Sequence, residues 1–222
     1  MRIALYTVNI GGYDTPIDPT QISGCPDLSG VDLYMITDHE EKISNWEMKV
    51  PMVLSDTARK TSRHPKINSH LYFPNYDYTI YIDSNMFISE KPQFYIDEFL
   101  KEHDIALHKN PYRSCAYAEA KEIRDVLKYE DPDIVDAEVD HLRFNGYPEN
   151  NGLGACHLLV RRNTPQIAKL NDEWWSMVAQ YSYRDQLSFD YSCYRTNTKY
   201  KVIEPYKKYT MQQPHAKEKV TF

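Results

Sequence analysis

With 222 residues, 41% hydrophobic and 26% charged, the chain has the size and composition of one large or two small soluble domains with a sizeable core. A net charge of −6 without any long basic run argues against a nucleic-acid partner. Cys25, Cys115, Cys156 and Cys193 lack CxxC spacing, the first eight residues are too short in apolar length for a signal peptide, and no window approaches a membrane span; a soluble, cytoplasmic protein with reduced thiols is expected.

Ile3 to Val8 reads as a buried strand running into Asn9-Ile10-Gly11-Gly12-Tyr13-Asp14, where paired glycines allow a sharp turn or close backbone approach to a ligand. Neither a dinucleotide fingerprint nor a P-loop follows. Val31 to Thr37 is a second strand, ending at Asp38-His39. An acid there can hold a ribose hydroxyl or base edge, or simply cap the next turn. Trp46 to Leu54 is predicted as a shorter third strand broken by Pro51. Arg59, Arg63 and Lys66 then fall at helical spacing, which puts them on one face of a helix that Pro65 interrupts. Such a cluster can neutralise a diphosphate or be a solvated surface.

Tyr78 to Ile82 is the clearest strand, a run of β-branched and aromatic residues. It stops at Asp83-Ser84-Asn85. Beyond the carboxyl end of a strand in an open α/β sheet, a carboxylate with an oxygen-bearing side chain two residues on can grip a hard divalent cation; the same residues also suit a turn. An aspartyl phosphoryl-transfer site would want a second acid where Asn85 stands.

A helix follows over 92–101 with Phe94, Ile96, Phe99 and Leu100 inward, then a strand over 104–107. Ser114 is a plausible cap for a helix to about Tyr129, and Asp131-Pro132 opens another that lines Val135, Val139 and Leu142 inward before ending at Gly146. All seven glycines fall within 11–30 or 146–154; the second loop, with Asn151 and Gly152, is either a sugar-contacting segment or a long turn before the strand Cys156–Val160. Thr164-Pro165 begins a helix whose Ile167, Leu170, Trp174, Met177 and Tyr181 recur at core spacing. Asp185, beside Arg184 and three residues after Ser182, reads as part of a capping box or as an acid or base at a helix entrance. The chain after Tyr194 is polar and tail-like, with His215 in it.

The order of Tyr6–Asp14, Lys66–Pro74, Tyr81–Asn85, His108–Cys115, Asn151–Leu153, Trp174-Trp175 and Arg184–Phe189 resembles a glycosyltransferase-like family best known from plant mucilage and cell-wall proteins, with short bacterial and large-virus relatives. The resemblance runs from about residue 3 to 195. It implies an α/β, GT-A (Rossmann-like) mixed sheet flanked by helices, a single domain over 1–200, and a tail over 201–222 closing over or near the donor site. It also implies transfer of a hexose or deoxyhexose from a nucleotide sugar, UDP-linked by expectation, to a glycan hydroxyl. In that reading Thr7 and Val8 lie near the base, Asp38 near base or ribose, and Asn9, Arg59, Arg63, Lys66, Ser84, Asn151 and Gly152 around the donor. Asp83, Asn85 and His215 would hold Mn²⁺ or Mg²⁺, although Asn85 departs from the DxD pattern. Asp185, with Arg184, would stand nearest the reacting sugar. A non-catalytic nucleotide- or carbohydrate-binding module is the alternative that Asn85 motivates.

Overall fold

The computed structural model describes residues 1–15, 18–40, 42–43 and 45–212. Nine strands and seven α-helices alternate along it: β1 (Ile3–Asn9), β2 (Asp32–Thr37), β3 (Glu47–Lys49), α1 (Ala58–Ile67), α2 (Ser69–Tyr72), β4 (Tyr78–Ile82), β5 (Met86–Ile88), α3 (Pro92–Phe99), β6 (Ile105–Lys109), α4 (Ala116–Lys121), α5 (Pro132–Phe144), β7 (Gly154–Arg162), α6 (Pro165–Gln180), α7 (Asp185–Thr196), β8 (Lys201–Ile203) and β9 (Thr210–Gln212). Seven strands form one sheet in the order β3-β2-β1-β4-β7-β6-β8. Only β7 runs against the others, pairing antiparallel with both β4 and β6. This is an α/β, GT-A-type mixed sheet. β5 and β9 make a small antiparallel ribbon beside it.

β1 and β4 sit mid-sheet, which explains why their sequences carry no polar face. Every residue of β1 is buried. One face packs Tyr6, Tyr81 and Leu159 against α1, α2, α6 and α7 through Ile67, Phe73, Trp174 and Phe189. The other packs Ile80, Ile82 and Leu158 against α3 through Tyr95, Ile96 and Phe99. Trp174 is fully buried, as its helical spacing requires, and its Nε1 donates to the Asp185 carbonyl at 2.8 Å.

Several expectations need correction. The strand predicted over 46–54 is only Glu47–Lys49: β3 is an edge, Pro51 offers no donor, and Val50, Met52 and Leu54 stand exposed, so nothing is gained by extending it. Pro65 does not interrupt α1, which continues to Ile67. Its last carbonyls are caught elsewhere: the buried Arg161 donates to Lys66 O at 2.9 Å and Ile67 O at 2.8 Å, and Tyr6 Oη donates to Lys66 O at 3.0 Å. Ser114 is not a cap; Cys115 takes that position without a side-chain bond, and α4 flows into a π-helical turn, Glu122–Leu127, closed by Lys128 in the left-handed region. At α3, Ile96, Phe99 and Leu100 are buried and Phe94 packs against them as expected, and Tyr95, fully buried, joins that inward face. Nor does Ser182 form a capping box, because α7 begins only at Asp185 and the Ser182 hydroxyl is engaged by Glu130. The stretch read as a tail after Tyr194 is structured in part: it completes α7, and Lys201–Ile203 form β8, an edge strand of the sheet parallel to β6.

Candidate functional site

The carboxyl ends of β1 and β4 open into a cavity of about 350 Å³. Its floor is Val8, Tyr81 and Asp83; one wall is α1 with Ala58, Arg59, Ser62 and Arg63, and the rim carries Tyr129, Tyr183 and Arg184. The loop after β1 supplies Ile10, Gly11, Tyr13 and Asp14. Gly11, at φ +69°, lies where a Cβ would come within 3.0 Å of Ala58 Cβ, so the glycine lets the loop seat on the first turn of α1. Asn9 locks that loop by donating to Asp14 O at 2.8 Å and accepting from Asp14 N at 3.2 Å. The turn ends with Ser84 Oγ donating to Asp14 Oδ2.

Below the cavity floor lies a chain of charges. Lys66 Nζ, 4% exposed, is 2.7 Å from Asp185 Oδ2 and 3.5 Å from Asp83 Oδ1. Arg63 Nε is 3.6 Å from Asp185 Oδ1 and donates to Tyr183 O at 3.1 Å. Burial pushes the Asp185 carboxyl up, but Lys66 and Arg63 outweigh it and hold the group below the usual aspartate range. Asp185 is therefore a fixed anion. Asp83 differs: its side chain is 35% exposed, and its Oδ1 accepts from Tyr81 Oη at 2.7 Å. Beside it on β7, His157 is stacked on His108 with centroids 4.8 Å apart, and burial drives its pKa down to about 3, so the ring is neutral.

Of the residues expected at the site, Val8, Arg59, Arg63, Asp83, Ser84 and Arg184 line the cavity, with Lys66 and Asp185 directly beneath. Asp38 is set back and accepts from Gly11 N at 3.0 Å, so it shapes the loop. Thr7 and Asn9 are buried strand residues outside the lining. Asn151 and Gly152 also lie outside it; Gly152, at φ +104°, makes room for Asp190, whose Oδ1 would lie 2.8 Å from a Cβ there. His215 falls outside the described residues.

For a divalent cation the cavity presents the carboxylates of Asp83 and Asp14, the latter accepting from Ser84 Oγ. Asn85 is buried, 4% exposed, and not part of the lining. Among the described residues no three His, Cys, Asp or Glu side chains gather as a metal cluster. A carboxylate on the cavity floor, as Asp83 is, fits a magnesium-type ion that takes most of its remaining ligands from phosphate and water.

Sequence reasoning missed Asp14, Tyr129 and Tyr183. The first is visible only as the end of the Gly-Gly loop. The aromatics stand in loops, and what brings them to the cavity is the π turn and the α6–α7 connection. There Arg59 lies over the Tyr183 ring at 5.4 Å and Arg184 over Tyr129 at 5.3 Å.

Residues 30–215 match the family described as "TOD1/MUCI70, glycosyltransferase-like domain". The chain belongs to that family. It is 24% identical over 163 residues to the "Probable hexosyltransferase MUCI70" of Arabidopsis thaliana, an alignment that takes in 68% of this chain and 28% of that protein. The chain thus spans little more than a quarter of that curated relative. In fold it is similar to the apo structure of the WbbM bifunctional glycosyltransferase, with a TM-score of 0.51 and 11% identity over 93% of this chain and 39% of the other. Among the described residues no helix is long and apolar enough to cross a membrane.

Proposed function

We propose that the domain transfers a hexose or deoxyhexose from a nucleotide sugar, UDP-linked, to a glycan hydroxyl. The observation that carries this reading is the Arg63–Asp185–Lys66–Asp83 chain under a cavity at the carboxyl ends of β1 and β4, in a chain of a glycosyltransferase-like family. Ligands of open α/β sheets sit at such strand ends. Arg59, Arg63 and Arg184 give the walls the cations a diphosphate requires, and fork-shaped guanidiniums suit phosphate oxygens. Asp185, held ionised by Lys66 and Arg63 beneath the cavity floor, would supply the negative charge that faces an oxocarbenium-like centre.

Asp83 would be the protein ligand for Mn²⁺ or Mg²⁺, and such an ion, when bound, neutralises charge on the departing diphosphate. Asp14 and Ser84 hold the Asp83 turn against the β1 loop, and His157, being neutral, adds no competing charge beside it. The test is release of UDP or GDP from a panel of their sugars, compared between the wild type and Asp185→Asn. Turnover of one donor in the wild type, lost in the variant, supports the reading; turnover that survives Asp185→Asn would show that this carboxylate is not the group at the reacting sugar. The second reading is a binding module without turnover. It draws on Asn85 replacing the second acid, and it is favoured if a nucleotide binds tightly while no donor is consumed.

A further inference from the structure

The rim of the cavity is made by two loops that share no helix and no strand: 128–131, after the π turn, and 181–184, between α6 and α7. A single carboxylate joins them. Glu130 Oε2 accepts from Ser182 Oγ, and Glu130 Oε1 accepts from Tyr183 N at 3.3 Å. The neighbouring contacts follow the same route, with Tyr183 Oη donating to Tyr129 O and Ser182 Oγ accepting from Arg184 N at 3.0 Å. A second acid supports the loop from behind: Glu138, buried on the inner face of α5, accepts from Ser182 N at 3.2 Å. The backbone N–H groups of Ser182, Tyr183 and Arg184 are thus all bound to this network. These residues immediately precede Asp185, whose side chain meets Lys66 and Arg63.

We infer that Glu130 is a positioning residue: it latches the 182–184 loop to the Tyr129 loop, and so fixes Arg184 and Asp185 against the ligand cavity. The inference rests on the nucleotide-sugar reading for what the cavity holds, but not for the latch itself. Carboxylate bonds to two donors of one loop are stronger than neutral ones and restrict the loop to one arrangement. Without them, the two loops would be joined chiefly through the Tyr183 hydroxyl and the Arg184 guanidinium over the Tyr129 ring. Groups facing Glu130 from its surroundings are Lys60 and Arg184, together with Glu138 from α5. Burial raises the pKa of both acids, and Glu138 is raised further by the nearby Glu130.

The experiment compares wild type, Glu130→Ala and Glu130→Gln by amide hydrogen exchange over 181–186 and by calorimetric titration with UDP. Faster exchange of the 182–184 amides in Glu130→Ala, with UDP binding weakened by about tenfold, is expected from the loss of charge-assisted bonds that hold a binding wall. Glu130→Gln keeps an acceptor for Tyr183 N and should recover most of both. Unchanged exchange in Glu130→Ala would overturn the latch. Faster exchange with unaltered UDP affinity would overturn the positioning role. Faster exchange in a protein whose wild type binds no UDP would keep the latch and remove the nucleotide reading. Should Glu130→Ala not fold, Glu130→Gln decides: wild-type exchange and affinity support the latch as drawn, and loosened amides with unaltered affinity overturn its role at the cavity.

Discussion

Asp185 and Asp190 stand five residues apart on α7, both buried, and their surroundings treat them in opposite ways. Asp185, at the first turn, meets Lys66 and Arg63, and those cations outweigh burial to hold its carboxyl low. Asp190 accepts from neutral donors, Gly154 N at 2.7 Å and Tyr200 Oη at 2.6 Å, and burial holds its carboxyl above the usual range. The same residue type on one helix is therefore a charged component of a cavity at one end and a packing and hydrogen-bonding element further along. What separates them is the identity of the partners rather than the depth of burial.

The comparison is broken most severely by removing the cation. Lys66→Met leaves Asp185 buried with the more distant Arg63 and Arg184, and unpairing a buried ion pair costs about 3–5 kcal/mol; denaturant unfolding should show a loss of that size. Asp185→Asn is expected to cost less, about 1.5–3 kcal/mol, because the half-exposed Asp83 still faces Lys66. It also tests the sign. With its folded pKa depressed, Asp185 contributes stability above its unfolded pKa of about 4, and that stability is lost as pH falls through the folded value. The acid limb of a stability profile should flatten in Asp185→Asn. Asp190→Asn sharpens the contrast from the other side, with an expected change of about 1 kcal/mol at neutral pH. Asp190 has a raised folded pKa, so its contribution is full below the unfolded value and declines as pH rises towards the folded one. The variant should lose less stability than the wild type between pH about 4 and neutrality. Smallest of all is Arg124→Ala. Its pairs with Asp125 and Asp136 lie on the surface, where solvent screens them, and thermal melting should register the smallest loss of the series.

Strand positions were legible wherever a run was buried on both faces. Tyr78–Ile82 reads as a strand from its side chains alone, and Thr164-Pro165 marks the start of α6 because a capping hydroxyl and a first-turn proline act locally. The basic face of α1 was legible too, since helical spacing fixes it. What the sequence hides are effects that cross the fold. Pro65 reads as a break, yet Arg161, 94 to 95 residues away in sequence from the carbonyls of Ile67 and Lys66, ties down the end of the helix. Ser182 and Asp185 carry a capping signature, but their side chains are claimed by Glu130 and Lys66 from other elements, so the local pattern loses. Gly152 reads as part of a ligand loop or of a long turn, and what the sequence does not show is that a Cβ there would meet Asp190 Oδ1 at 2.8 Å. Glu138 is the clearest omission: its spacing from Val135 and Leu142 places it on the inner face of α5, and only the backbone of Ser182 explains an acid there.

Calorimetric titration of the protein with UDP, with and without Mn²⁺, set beside the same titration of Asp83→Ala, tests the nucleotide cavity most directly. Binding that strengthens with the metal and loses that dependence in Asp83→Ala is the expected result. No binding of UDP under either condition would contradict a donor site between α1 and the ends of β1 and β4.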